Sequence, residues 1–175
     1  EALLERYLND GALTDAALLE GLRVGVQRGA LVPVFGGSAL RNVGVQTLLQ
    51  GLLQLMPSPA ARAQIAPVQG VGLSDGEPPM TREPVATAPL SGLVFKTIID
   101  PFVGRLSYVR IYSGTLQADS NVYNATRQVR ERGGHVFSIF GKTYTAVSRA
   151  VAGDIVAIGK LKDSLTGDTL CDEHA

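Results

Sequence analysis

Along this chain the spacing of apolar residues changes period once, and that change limits what the chain can fold into. Before residue 60 apolar residues recur at helical spacing; from Pro89 onward they alternate with a period of two. A repeat near 3.6 puts one face of a helix on a core, and a repeat of two does the same for a strand. One chain holding both in that order predicts a helical or α/β part followed by an all-β part. Its 175 residues leave room for one large domain or two small ones.

The first part divides further. Residues 1–8 read as the tail of a helix, with Leu3, Leu4, Tyr7 and Leu8 on one face and Asn9-Asp10-Gly11 as its stop. Thr14 is placed to cap a helix over 15–28 through its hydroxyl, and Asp15 suits the positive end of the helix dipole. Leu18, Leu19, Leu22 and Val26 give that helix an apolar stripe, and Gly29 suits the left-handed position beyond its end. Residues 31–35 form a short apolar run bounded by glycines, which predicts a buried strand. Gly36-Gly37-Ser38 is a loop and Gly44 a turn. Val45, Leu48, Leu49, Leu52, Leu53 and Met56 then mark a helix, ended by Pro57-Ser58-Pro59. Helix, strand, loop and helix make half of an α/β domain, and one strand alone has no sheet to join.

Residues 60–88, rich in proline and glycine, lack periodicity and read as a linker. Strands follow at 93–99, 104–112, 121–124, 128–130, 135–140, 155–160 and 169–171, with turns at Asp100-Pro101, Ser113-Gly114 and Gly133-Gly134. Many short strands with turn signals between them predict an all-β barrel or sandwich.

Composition excludes some functions. Sixteen Lys and Arg balance sixteen Asp and Glu, so the chain is not strongly basic on average. Past residue 89, however, ten positive residues stand against eight negative ones. A single cysteine, Cys171, forms no internal disulfide and no cysteine-rich zinc site, and it fits a reducing cytosol. No metal site is expected. No apolar run is long enough to span a membrane, and the start lacks the pattern of a signal peptide. Tryptophan is absent and aromatics are few, so an RNA contact would rely less on stacking.

Gly141-Lys142-Thr143 imitates the end of a phosphate-binding loop, but Val136 stands where the first glycine belongs and the flanks are strands, so a hairpin turn is expected. No His, Asp and Ser set supports catalysis. Asp168 and Asp172 are expected to be solvated turn carboxylates. The loop at Ser38, Ala39 and Leu40, following a strand, suits either a ligand edge or a plain connection to the next helix. Arg127, Arg130 and Arg132 form a local basic run that suits either nucleic-acid phosphates or the charge protection of an edge strand.

Blocks of sequence then carry a resemblance. Residues 33–49, with Gly36-Gly37-Ser38-Ala39-Leu40-Arg41-Asn42 at their centre, resemble the end of the GTPase domain of elongation factor G. Asp100-Pro101-Phe102-Val103-Gly104-Arg105-Leu106, Tyr112-Ser113-Gly114-Thr115-Leu116, Ala152-Gly153-Asp154-Ile155 and Thr166-Gly167-Asp168-Thr169-Leu170-Cys171-Asp172 resemble its second domain, in the family's order. The resemblance implies a mixed fold: a partial α/β region, the tail of a GTPase domain, over residues 1–59; a linker over 60–88; and an all-β translation-factor-type barrel over 89–175.

It implies that Ser38, Ala39 and Leu40 form the loop that meets the guanine base, and that the barrel packs on the GTPase domain and touches small-subunit ribosomal RNA. Arg105, Arg110, Arg127, Arg130 and Arg132 are the expected phosphate contacts. The longer parent is expected to be a cytoplasmic GTPase using GTP or GDP with Mg, and to work in translocation. The P-loop, the Asp-x-x-Gly element and the Asn-Lys-x-Asp motif are missing from these residues, so this piece is expected to bind no cofactor and to catalyse nothing itself. Residues 136–142 read more like the elongation-factor-G-like paralogues, which serve ribosome protection or recycling. That implies the alternative role of an interaction or relay module without direct RNA contact.

Overall fold

The computed structural model describes residues 2–71, 78–101 and 103–173. The chain divides into two compact units, residues 1–58 and 59–175. The class is the expected one, a partial α/β region followed by a β-barrel-type domain.

The first unit holds α1 (Ala2–Asp10), α2 (Asp15–Gln27) and α3 (Val45–Leu55). The Thr14 hydroxyl accepts the Ala17 N–H at 3.3 Å, satisfying one of the unpaired donors at the start of α2. Gly29 has a φ of 72° just past the end of α2, as a left-handed terminator requires. The leucine stripes lie on helices as expected, yet few of these residues are buried. Leu22 is 50% exposed and Leu49 54%, and α2 has no buried residue.

The strand expected over 31–35 does not form. These residues are irregular, with Val32 and Val34 almost fully exposed. A strand exists only through a ladder to a neighbour, and no other strand is found among the described residues of this unit.

The second unit opens with α4 (Pro59–Ile65) and the short antiparallel pair β1 (Val68–Gly70) and β2 (Met80–Arg82), so the stretch read as linker carries structure of its own. Ten more strands follow: β3 (Ser91–Asp100), β4 (Gly104–Ser113), β5 (Thr115–Gln117), β6 (Asn121–Asn124), β7 (Val129–Arg132), β8 (Val136–Phe140), β9 (Thr143–Val147), β10 (Arg149–Val151), β11 (Ile155–Gly159) and β12 (Thr169–Cys171). Eight form one antiparallel sheet in the order β7-β6-β12-β3-β4-β11-β8-β9, and β5 pairs with β10.

The chain leaving β7 crosses toward β11. Gly133 N donates to Ser120 O, Gly134 N to Gly159 O, and Gly159 N to His135 O. These bonds curl the sheet back on itself around Val94, Val109, Ile111, Val122, Val136, Val156, Ile158 and Leu170, which pack as one core. Alternation puts these side chains inward and their neighbours outward.

Two turns use their glycines. Gly114, at φ 76°, lies so close to Ala88 and Leu90 that a Cβ would sit 2.6 Å from their backbone atoms. Gly141, at φ 59°, and Lys142 join β8 to β9 as a two-residue hairpin in which Phe140 faces Thr143. A glycine at the first central position is what a type II′ turn demands. The imitation phosphate loop is therefore a hairpin turn, as expected.

Candidate nucleic-acid interface

The polar centre of the barrel is built from two buried carboxylates. Glu131 is the one buried residue of β7, between the exposed Arg130 and Arg132. It accepts the N–H groups of Lys162 at 2.7 Å and Asp163 at 2.8 Å, and the Ser164 hydroxyl. Burial pushes its pKa upward, but the bonds from Ser164, Asp163, Lys162 and Asn124 together outweigh burial and hold it below the usual range.

Asp168 is the second, and here the expectation of a solvated turn carboxylate is overturned. Asp168 is only 4% exposed. Its Oδ2 accepts from Asn124 Nδ2 at 2.9 Å, Arg127 Nε at 2.7 Å and Leu165 N at 2.9 Å. Burial again works to raise its pKa, and donation from Asn124, Leu165 and Arg127 turns the shift downward. The residue sits in a turn, but three donors fold over it before β12 begins. Cys171, at the end of β12, is buried, and burial pushes its thiol up, away from the reactive thiolate.

Both carboxylates are held ionised below their unfolded pKa values. They therefore add stability that is present above about pH 4 and lost as pH falls through their folded values. The urea midpoint of the barrel is expected to drop steadily below pH 4. In the double variant Glu131→Gln with Asp168→Asn, that pH dependence should flatten.

This polar centre helps determine where the cations lie. The bonds to Glu131 hold residues 162–164 against β7 and bring Lys162 beside Arg130 and Arg132, while the bonds between Gly134, His135 and Gly159 place Lys160 there. Together with Glu131 and Asp163 these four cations line a groove of about 220 Å3. Arg105, at the start of β4, donates through Nη1 to Lys162 O at 2.6 Å and through Nη2 to Ser164 O, bracing the same turn. Arg130 pairs with Glu173. Arg127 has its Nε on Asp168. Arg110 lies over the Tyr112 ring, 5.2 Å from its centre.

Of the five arginines singled out in the sequence, the structure thus brings Arg130 and Arg132 into one groove. Arg105 and Arg127 brace its framework, and Arg110 sits elsewhere on β4. Lys160 and Lys162 were missed, because their proximity depends on hydrogen bonds between distant stretches of the chain, from Lys162 to Glu131 and between Gly134, His135 and Gly159. Lys160 itself takes a left-handed conformation, φ 67°, as the chain leaves β11.

In the first unit, Ser38 and Val43 exchange backbone hydrogen bonds at 2.9 and 3.0 Å and close a tight loop. The Ser38 hydroxyl accepts Arg41 N–H at 3.3 Å, and Leu40 at the tip is fully exposed. Among the described residues, the N–H groups of Ala39 and Leu40 have no acceptor. Beside them lies a cavity of about 240 Å3 lined by Phe35, Gly36, Gly37, Val45 and Leu48. Ser38 and Ala39 line this cavity and Leu40 does not. Among the described residues there is no cluster of three potential metal ligands.

The antiparallel topology, with one core, defines a β-barrel-type domain. Residues 89–173 match the family model described as elongation factor G domain 2. A crystal structure of a protein from Thermus thermophilus superposes on 98% of this chain with a TM-score of 0.71 and 30% sequence identity. This chain spans 22% of the length of that protein. The barrel, residues 89–173, is an elongation factor G second domain.

Proposed function

We propose that this chain works as part of a GTP-driven, ribosome-associated translation factor of the translocation type, in the cytoplasm. Its barrel docks on small-subunit ribosomal RNA and on the GTPase domain of the parent. The observation that carries this reading is the groove formed by Arg130, Arg132, Lys160 and Lys162. Its two carboxylates, Glu131 and Asp163, stand against four cations, so the groove presents net positive charge to a partner. Phosphates are the partner such a surface recognises.

The loop at Ser38, Ala39 and Leu40 is, on this reading, the parent's contact to the guanine base. GTP or GDP and Mg belong to the longer parent. This chain alone is expected to show no saturable binding of a GTP analogue at micromolar levels and no hydrolysis.

The test is salt-dependent binding of the chain to isolated small ribosomal subunits. Replacing Arg132, Lys160 and Lys162 by Ala should weaken binding and lower the slope of log K against log salt by about 2 to 3. An unchanged affinity and slope would leave those residues as surface charge. A second reading, a relay module of an elongation-factor-G-like paralogue for protection or recycling, is favoured by one observation: Arg105, Arg127 and Arg130 are engaged inside the chain. Footprinting of ribosomal RNA with the parent protein separates the two, since only docking protects RNA beneath the barrel.

A further inference from the structure

Four of the chain's ten Tyr and Phe residues gather on one face of the sheet. Tyr108 on β4 faces Ala157 on β11, which faces Phe137 on β8. Directly opposed residues of an antiparallel ladder point to the same side, so all three share one face of the sheet. Ala157 is fully buried but is not part of the interior core, whereas its neighbours Val156 and Ile158 are. The rings on the outer face bury it.

Those rings form a continuous row. Phe95 meets Tyr108 edge to face with centroids 6.2 Å apart. Phe95 reaches it because the β3–β4 register shifts between Val94 and Lys96, making Phe95 the extra residue. The Tyr108 and Tyr144 hydroxyls are 3.0 Å apart across Ala157. That hydrogen bond, helped by burial, pushes the Tyr108 pKa up to about 12. Tyr144 meets Phe137, and Phe137 meets His135, each at 6.2 Å and edge to face.

Cations border the row. Lys96 is the ladder partner of Tyr108. Arg110 is two residues along β4 on the same face, and exposed. At the far end Gly159 N donates to His135 O, and the Lys160 stem lies against Gly134. Lys160 also lines the cationic groove. Rings on four of the five successive strands β3-β4-β11-β8-β9, spaced about 4.8 Å per strand and bordered by Lys96, Arg110 and Lys160, make a platform of the kind that holds unpaired bases while cations track the backbone. Duplex RNA offers no free base faces to such a row.

We propose that the outer face carrying Phe95, Tyr108, Tyr144, Phe137 and His135 stacks the bases of single-stranded RNA, two or three at a time. This rests on the docking reading above and names the form of RNA bound. It departs from the expectation, drawn from composition, that stacking would matter little.

Of the chain's five tyrosines, Tyr108 and Tyr144 lie on this face, and no tryptophan masks their emission. The test titrates the full chain with a short oligouridylate, with its abasic counterpart, and with duplex RNA of equal charge. Oligouridylate should quench the tyrosine emission and bind at least about five-fold tighter than the abasic strand. Phe95→Leu and Phe137→Leu should each lose that advantage while leaving duplex binding unchanged. Phe95 is 42% exposed, so its replacement by Leu leaves the core intact, and equal thermal midpoints would confirm it. If duplex RNA binds but the abasic strand matches oligouridylate, or neither Leu variant changes it, stacking is overturned and docking stands. If none of the three RNAs binds, the docking reading falls and stacking falls with it.

Discussion

Replacing Asp168 by Ala is expected to lower the stability of the barrel by about 3 kcal/mol. One oxygen of this carboxylate serves three donors from three places in the chain: Asn124 on β6, Arg127 in the turn after it, and Leu165 in the turn before β12. Asn124 is fully buried, so its amide would lose an acceptor that water does not replace. Arg127 is 39% exposed at its side chain and can rehydrate, which keeps the loss short of that for a fully buried ion pair. Arg127→Ala should therefore cost much less, about 1 kcal/mol. Asp168→Asn should fall between them, since it keeps an oxygen but turns an N–H group toward the donors. Urea unfolding followed by tyrosine fluorescence measures all three. The midpoint should move while the slope stays constant. A change below about 0.5 kcal/mol for Asp168→Ala would mean that the network does not hold the barrel.

The same residue shows what the sequence made legible and what it did not. The alternation past Pro89 is a local consequence of a two-faced sheet, so strands 121–124 and 169–171 emerged with their observed ends. The helix over 45–55 and the Thr14 cap are local too, and both were readable. The strands β5 and β10 have three residues each and exist only because they pair with one another across a long stretch of chain. The apolar run 31–35 resembles a buried strand, but only a partner strand would make it one. Asp168 read as a solvated turn residue because position in a turn predicts exposure on average, whereas its burial follows from three distant donors. The candidate site divides along the same line. The charge of Arg130 and Arg132 was visible in the sequence; their convergence with Lys160 and Lys162 required knowing that Glu131 is buried and gathers the turn at 162–164, and that Gly134 and His135 pair with Gly159.

Glu131→Ala gives the sharpest contrast between charge counting and structure. Removing a negative charge from the middle of a cationic groove should, by Coulomb attraction alone, strengthen binding to phosphates. The opposite is expected. Glu131 keeps its charge, but its two oxygens hold the Lys162 and Asp163 N–H groups and the Ser164 hydroxyl, and that structural role outweighs its repulsion. Its loss leaves those donors unsatisfied, costs about 3 kcal/mol, and releases the turn that places Lys162. Affinity for small ribosomal subunits should then fall about ten-fold, and the salt slope should drop by about 1 as one phosphate contact is lost. Asp163→Asn is the control. Asp163 lies in the same groove but is exposed, so its neutralisation should raise affinity as simple electrostatics predicts. Opposite signs for two carboxylates in one groove would separate the residue that builds the surface from the one that merely charges it. If Glu131→Ala bound more tightly than the parent chain, with its slope retained, the turn at 162–164 would stand without Glu131, braced by Arg105 alone.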